Sequence, residues 1–295
     1  MEIRVDLNMV PESLRWIGKT DAARAWLSGL PRLMEECEER WSLRLGPPYP
    51  GSYVSLVVPA DLPDGTGAVL KIQFPHRESE HEADALALWD GEGAVRLLDH
   101  DPSRHALLIE RCDPGRHLSE LEPDAALGVL IDLLPRLLKP AGQPFNSLKD
   151  EAARWAEQLP AAWERAGYPF ERRLIDSALE ALDELSGSQG EQVLLHQDLH
   201  PDNVLAAERE PWLVIDPKPL RGEREFSAAP IVRAYELGHD RDLVLGRLDR
   251  LTDELGLDRD RAVRWALAQT LAWAFEGDLA LPRHVETARW LQQLI

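Results

Sequence analysis

The apolar positions in the first part of the chain change their spacing, and each change predicts a different element. Between residues 12 and 45 they recur every three or four residues, which predicts two helices hinged near Gly29-Leu30-Pro31. Two short apolar runs then flank a turn around Asp64-Gly65, which predicts a β-hairpin. The sequence RESEHEADALALW predicts a helix, and AVRLLDH and HALLIERC predict two more strands. Residues 50–112 are therefore predicted to form a small, mainly antiparallel sheet with one inserted helix.

Helical spacing dominates the chain after the breaker sequence DPGR. Helices are predicted near 119–138, 146–165, 170–186, 228–239, 241–255, 258–276 and 283–294. The exception is 191–216, where EQVLL and WLVID predict short strands on either side of the loop HQDLHPDN. The predicted fold class is α+β, with an amino-terminal lobe over residues 1–112 and a mainly helical carboxy-terminal lobe over residues 113–295.

The charge balance narrows the classes of partner. Lysine and arginine number 33 against 52 acidic residues, a net charge of −19. Such a chain is poorly suited to nucleic acid or to an anionic membrane. The charge could attract a cationic substrate, and solubility alone is the alternative explanation for it. Two cysteines form neither a disulfide framework nor a four-ligand zinc site. The first residues lack the apolar segment of a secretory signal, and no apolar run approaches the ~20 residues of a membrane span, so a cytoplasmic location is predicted.

The string from His196 to Asn203, HQDLHPDN, carries the strongest chemical signal. Phosphoryl transfer from a nucleotide needs a carboxylate that orients and deprotonates the attacking hydroxyl, and oxygen ligands for a metal on the phosphates. Asp198 suits the first role. Asn203 can return to the same site as a neutral ligand, and Asp216, at the end of the next apolar strand, supplies an ionised one.

A lysine inside an apolar strand of the first lobe agrees with this chemistry. Lys71 in AVLKI can hold the α- and β-phosphates of a nucleotide, and Glu82, on the helix inserted in the sheet, can pair with it. Glu80 is a rival partner, and the sequence does not separate the two.

Two more segments of this lobe are candidates for nucleotide binding. Gly51 and Ser52 precede the first strand of the sheet, where backbone N–H groups could approach phosphates. The strand that runs through Glu110 to Cys112 leads to the lobe boundary, and an adenine would hydrogen-bond its exposed backbone.

Taken together, these motifs resemble the aminoglycoside phosphotransferase branch of the protein-kinase-like fold. Within that branch the chain is similar to the streptomycin 6-kinase and hydroxyurea-resistance kinase group. The closer match rests on HQDLHPDNVL, VIDPKPLRGEREFSAAP, AWLSGLPRLMEECEERWSLRLG and AVLKI with HEADALALW, and it extends over nearly the whole chain. One departure is Gln197, where relatives often have glycine; it removes no functional group.

The resemblance implies a bilobal fold and a role for each matching residue. Asp198 would be the catalytic base, Asn203 and Asp216 the Mg²⁺ ligands, and Lys71 the contact to the phosphates of ATP, with Glu82 as its partner. His196 would brace the catalytic loop. ATP and Mg²⁺ are the implied cofactors.

The acceptor site is expected next to the segment that follows Asp216. Lys218, Glu223 and Glu225 are the candidates there, and the two glutamates could bind amino or guanidino groups. An alternative is that Glu-Arg-Glu forms a solvated helix start.

The leading hypothesis is an ATP- and Mg²⁺-dependent O-phosphotransferase for a streptomycin-like aminoglycoside. A metabolic sugar or amino-sugar kinase of the same fold is the first alternative. A nucleotide-binding protein without catalysis is the second. A protein kinase is disfavoured because neither Phe-Gly nor Ala-Pro-Glu follows Asp216. The sequence leaves open whether the protein is a monomer or a homodimer.

Overall fold

The computed structural model describes residues 11–295, and the prediction drawn from the first ten residues lies outside this range. The chain divides into two compact units, of which the first ends at Gly115 and the second spans Arg116–Ile295. Across the described range, no helix combines the length and the apolar character that crossing a bilayer requires.

The first unit is built on a five-stranded antiparallel sheet. Its strands are β1 (Arg44–Leu45), β2 (Ser55–Asp61), β3 (Gly67–Gln73), β4 (Leu97–Asp101) and β5 (Ala106–Glu110), and its helices are α1 (Asp21–Trp41) and α2 (Glu82–Trp89). The strand order is β1-β2-β3-β5-β4. The predicted hairpin, the two later strands and the inserted helix are confirmed.

The predicted hinge in the first helical segment is wrong. Helix α1 is continuous and contains Pro31 in its interior, preceded by a separate 3-10 turn over Glu12–Ile17. Its buried stripe, Leu30, Met34 and Cys37, belongs to the same core cluster as the sheet. This stripe continues past the proline. The free energy gained by burying it therefore offsets the loss of the backbone hydrogen bond that proline cannot donate.

The second unit is mainly helical, as predicted. Its helices are α3 (Pro123–Leu137), α4 (Leu148–Arg165), α5 (Arg172–Ser186), α6 (Ala228–Arg233), α7 (Arg241–Leu255), α8 (Arg259–Ala272) and α9 (Pro282–Gln292). Its strands are β6 (Val193–His196), β7 (Val204–Ala206), β8 (Trp212–Val214), β9 (Pro219–Gly222), β10 (Phe275–Glu276) and β11 (Leu279–Ala280). They pair as β6–β9, β7–β8 and β10–β11. The sequence predicts β6 and β8 but not their partners.

The helix predicted over 228–239 is wrong in its second half. Helix α6 ends at Arg233, the next residue is extended, and a 3-10 turn follows over Tyr235–Leu237. The buried Arg247 of α7 donates hydrogen bonds to the carbonyl oxygens of Val232 and Gly238, at 3.1 and 3.0 Å. This side chain binds backbone carbonyls on both sides of the break, so the chain can leave the helix early.

Candidate active site

His196, the last residue of β6, holds the start of the catalytic loop. Burial lowers its pKa to about 4, so the imidazole is neutral near pH 7. The backbone N–H of Asp198 donates to Nδ1 at 3.2 Å, and Nε2 lies 3.0 Å from the carbonyl oxygen of Ile215. Because an amide N–H can only donate and a carbonyl can only accept, the ring hydrogen is on Nε2. His196 therefore joins the loop to the segment just before Asp216.

The carboxylate of Asp198 is buried and is bound by two cations. Its Oδ2 accepts a hydrogen bond from Lys218 Nζ at 2.6 Å, and its Oδ1 accepts one from Arg233 Nη2 at 2.9 Å. Burial raises the pKa of this carboxyl, but Lys218 and Arg233 outweigh burial and hold the pKa well below its usual range. Asp198 is therefore an anion that is already oriented.

The same two cations share an aromatic face. Lys218 Nζ lies 4.9 Å and the Arg233 guanidinium carbon 4.3 Å from the ring centroid of Trp273, which follows α8. Cation–π attraction of this kind fixes both side chains against one rigid surface. The structure thus places Lys218 on the carboxylate of Asp198, and its role toward the acceptor stays a prediction.

Asn203 folds back onto the loop that contains Asp198. Its Nδ2 donates to the backbone carbonyl oxygen of Asp198 at 2.9 Å, and its side chain is buried. The amide nitrogen is used in this way, so the side-chain carbonyl oxygen of Asn203 is the group available to a ligand.

Asp216 lies at the open end of the β7–β8 hairpin, just after β8, where Asn203 lies just before β7. The hairpin pairs Val204 with Val214, and the N–H of Ile215 donates to the backbone carbonyl of Asn203 at 2.9 Å. Asp216 follows with a φ of 53°, a left-handed conformation that is uncommon outside glycine and concentrated at functional sites. An amide oxygen and a carboxylate on adjoining backbone segments are hard oxygen donors that fit Mg²⁺.

A histidine and a glutamate extend the polar network beyond Asp198. His200 Nε2 lies 3.9 Å from Asp198 Oδ2, and His200 Nδ1 lies 3.0 Å from Glu236 Oε1. Burial lowers the pKa of His200, but Glu236 and Asp198 outweigh burial and raise it. Glu236 lies on the 3-10 turn that replaces the end of the predicted helix.

The first unit contains a buried ion pair at the predicted nucleotide residues. Lys71 Nζ lies 2.7 and 2.6 Å from the two carboxylate oxygens of Glu82, and both side chains are almost fully buried. Gln73 Nε2 donates to the same carboxylate at 2.5 Å. Of the two glutamates that the sequence leaves open, the structure pairs Glu82 with Lys71.

The other predicted nucleotide residues lie at the ends of strands in this unit. Gly51 has a φ of +95°, which glycine adopts readily, and it precedes β2 together with the half-buried Ser52. Glu110 ends β5, where its backbone N–H and side chain bond the backbone of Arg96. Cys112 is half-buried just beyond this strand. Their roles with a nucleotide stay predictions.

The two candidate acceptor glutamates have different surroundings. Glu223 is buried, and its carboxylate accepts hydrogen bonds from Arg261 at 2.8 and 3.0 Å and from the indole N–H of Trp265. Its oxygens are therefore already bound inside the protein, and its role as an acceptor-binding group stays a prediction. Glu225 is half-buried on the 3-10 turn Arg224–Ser227 and makes no ion pair with any described residue, so it stays a candidate.

Several side chains of the site escape sequence reasoning. His200 stands inside the catalytic motif, two residues after Asp198, and its position there was a usable signal. Arg233, Glu236 and Trp273 lie far along the chain, in segments that the sequence assigns to helices. They reach the catalytic loop through the packing of α6 on α8 and the contacts of the 3-10 turn Tyr235–Leu237 with Pro201–Asn203.

Comparison with known proteins gives a consistent result. Residues 40–277 match the model of a family described as aminoglycoside/hydroxyurea antibiotic resistance kinase. The chain is 43% identical to streptomycin 6-kinase of Streptomyces glaucescens, over 92% of each chain. It is 42% identical to hydroxyurea phosphotransferase of Kitasatospora aureofaciens, over 98% of this chain and 86% of the relative.

Solved structures resemble this one at low sequence identity. An aminoglycoside phosphotransferase in complex with ADP and hygromycin B superposes with a TM-score of 0.58 at 15% identity, covering 88% of this chain and 95% of the other. A choline kinase from Streptococcus pneumoniae gives a TM-score of 0.63 at 12% identity, covering 89% and 99%. These likenesses confirm the predicted α+β, protein-kinase-like fold.

Proposed function

Because the chain belongs to the aminoglycoside/hydroxyurea antibiotic resistance kinase family, we propose that it transfers the γ-phosphoryl group of ATP to a hydroxyl group of a streptomycin-like aminoglycoside. The chain is a phosphotransferase with an alcohol group as acceptor.

The observation that carries this proposal is the arrangement around Asp198. A buried, ionised carboxylate is held by Lys218 and Arg233, and the side chain of Asn203 donates a hydrogen bond to the backbone carbonyl oxygen of the same residue, Asp198. Positioning supplies much of the rate enhancement in phosphoryl transfer, and a carboxylate that is already oriented provides it for the acceptor hydroxyl.

We assign Asp198 mainly to orienting that hydroxyl and receiving its proton late. Its pKa is held low by the two cations, so it is a weak base toward an alcohol before the reaction begins. The transferring phosphoryl group passes through a loose transition state in most analyses, in which the proton leaves once the bond to the acceptor oxygen is forming. A weak base that is held in position is sufficient for this order of events.

The negative charge on the phosphates needs cations. Lys71, held rigid by Glu82, is assigned to the nucleotide phosphates, and Asn203 and Asp216 would hold Mg²⁺. These two residues would hold a cation that supplies positive charge to the phosphate oxygens. Lys218 and Arg233 add positive charge beside the carboxylate that receives the hydroxyl, where the γ-phosphoryl group must arrive.

The acceptor is proposed from the relatives and tested by a panel. The purified protein is incubated with ATP and Mg²⁺ and with streptomycin, hydroxyurea, hygromycin B or glucosamine, and ADP release is measured with mass analysis of the product. We expect streptomycin to gain one phosphate. Selective turnover of glucosamine would instead support a metabolic amino-sugar kinase.

Hydroxyurea is a second candidate acceptor. The relative named hydroxyurea phosphotransferase matches 98% of this chain at 42% identity, nearly the same identity as the streptomycin kinases. Phosphorylation of hydroxyurea at a higher kcat/KM than streptomycin would make it the preferred acceptor.

A further inference from the structure

One carboxylate oxygen beside the catalytic loop is buried, and no described residue donates a hydrogen bond to it. The Glu236 side chain is 10% exposed, and its Oε1 lies 3.0 Å from His200 Nδ1. Its other oxygen, Oε2, is fully buried and meets no donor among the residues that the structure describes. Such atoms are rare in folded proteins, since leaving a buried acceptor unpaired is costly.

This glutamate is an anion that lies close to the reacting groups. Burial raises its pKa, but the neighbouring His200 outweighs burial and lowers it, so the carboxylate is ionised. A single imidazole separates it from Asp198, because His200 Nε2 lies 3.9 Å from Asp198 Oδ2. A molecule that places a hydroxyl on Asp198 therefore brings its neighbouring atoms toward Glu236.

We infer that Glu236 is a specificity-determining residue, whose Oε2 accepts a hydrogen bond from a guanidino or urea N–H group of the acceptor near the reacting hydroxyl. This inference rests on the proposed function. The two acceptors named for the relatives share this chemistry: streptomycin contains guanidino groups, and hydroxyurea is a urea with an N-hydroxyl. In both, a planar N–C–N group with N–H donors lies near hydroxyl oxygen.

A divalent cation is the other occupant to consider. Ligand atoms of His200, Asp202 and Glu236 lie within 4.8 Å of one another. However, Glu236 and Asp198 raise the pKa of His200 and so favour a proton on its ring, which a divalent cation would have to displace. Asp202 already accepts a hydrogen bond from Ser119. The arrangement therefore favours an N–H donor.

The inference is tested by measuring streptomycin binding without ATP, by calorimetry, on the full-length protein and on Glu236→Gln. Glutamine keeps the size of the side chain and removes its charge. We expect the Kd for streptomycin to rise about 10- to 100-fold, as the loss of one charge-assisted hydrogen bond implies. The Kd for a non-hydrolysable ATP analogue should stay within twofold. Glu171→Gln, which removes an exposed ion pair with Arg289 in the same unit, is the control and should leave both constants unchanged.

Kinetics and metal binding separate the remaining outcomes. In turnover, Glu236→Gln should raise the KM for streptomycin while kcat stays within threefold, and Glu236→Asp should recover part of the loss. A fall in kcat at constant KM would overturn the inference and assign Glu236 to positioning His200. Mn²⁺ bound to the nucleotide-free protein and lost in Glu236→Gln would overturn it in favour of a metal site.

The binding measurement distinguishes this inference from the proposed function. Streptomycin that binds through Glu236 without being phosphorylated would refute the proposed reaction and support the subsite. Phosphorylation with an unchanged Kd in Glu236→Gln would support the reaction and refute the subsite. Absence of any streptomycin binding would overturn both.

Discussion

Removing the positive charge of Lys218 tests whether the cations on Asp198 matter for the reaction. In Lys218→Met the carboxylate loses a 2.6 Å charge-assisted hydrogen bond and keeps the one from Arg233. Such a bond contributes about 1.5–3 kcal/mol, which corresponds to roughly a 10- to 100-fold fall in kcat. Methionine has a similar length but no ammonium group for Asp198 or for the ring of Trp273, so the loss reports mainly on charge.

The pH dependence makes this prediction sharper. Reaction requires ionised Asp198, so activity falls as the pH falls through the pKa of this carboxyl. Lys218 holds that pKa low. In Lys218→Met the acid limb of the kcat/KM profile should therefore move to higher pH, whereas Lys218→Arg should restore the wild-type limb.

The assay is ADP release from pH 4.5 to 8 with saturating ATP and Mg²⁺. Lys149→Met, an exposed lysine of the same unit, is the matched control and should leave the profile unchanged. Superimposable profiles for wild type and Lys218→Met, with equal kcat, would refute the assignment of Lys218 to Asp198.

Three further predictions concern stability. Glu82→Ala leaves Lys71 buried without its partner and should cost roughly 3–5 kcal/mol in urea unfolding, whereas Glu80→Ala should cost far less; equal losses would contradict the pairing. Burial lowers the pKa values of His196 and His284 to about 4, below the value near 6.5 of an unfolded histidine. Between these values the unfolded chain binds more protons than the folded chain, so the urea midpoint should fall as the pH falls from 7 to 4.5. The fall should be smaller in His284→Asn. Gly222→Ala places a Cβ 2.5 Å from that of Leu148 and should lower the unfolding free energy by about 1–3 kcal/mol, while Gly190→Ala, which meets nothing within 4 Å, serves as its control.

Elements whose partners are close in sequence could be predicted well. The hairpin that carries Lys71, the helix that carries Glu82 and the spacing from Asp198 to Asp216 are all local patterns. Strand β9 escaped prediction because it is short and pairs with β6, a distant strand, and β7 escaped because its three residues are too few to show an apolar–polar alternation. Pro31 misled the prediction for a similar reason: tertiary burial of α1 outweighs the local propensity of proline to break a helix.

The acceptor side of the site could be predicted only in part. Glu223 and Glu225 have the same charge and nearly the same position, yet one is bound by Arg261 and Trp265 while the other makes no ion pair in the described chain. Their sequence gives no reason for the difference. Glu236 was hidden inside a predicted helix, and only the early end of α6 brings it toward His200.

Transfer of labelled γ-phosphate from ATP to streptomycin shows whether Asp198 directs phosphoryl transfer to a streptomycin hydroxyl. Wild type and Asp198→Asn are compared in a single turnover, with Asp242→Asn, an exposed carboxylate at the start of α7, as the control. The account predicts labelled streptomycin with wild type and the control, and a fall of at least about 1,000-fold for Asp198→Asn, near the loss seen when a catalytic group is removed. Labelling at the wild-type rate by a folded Asp198→Asn protein would contradict it.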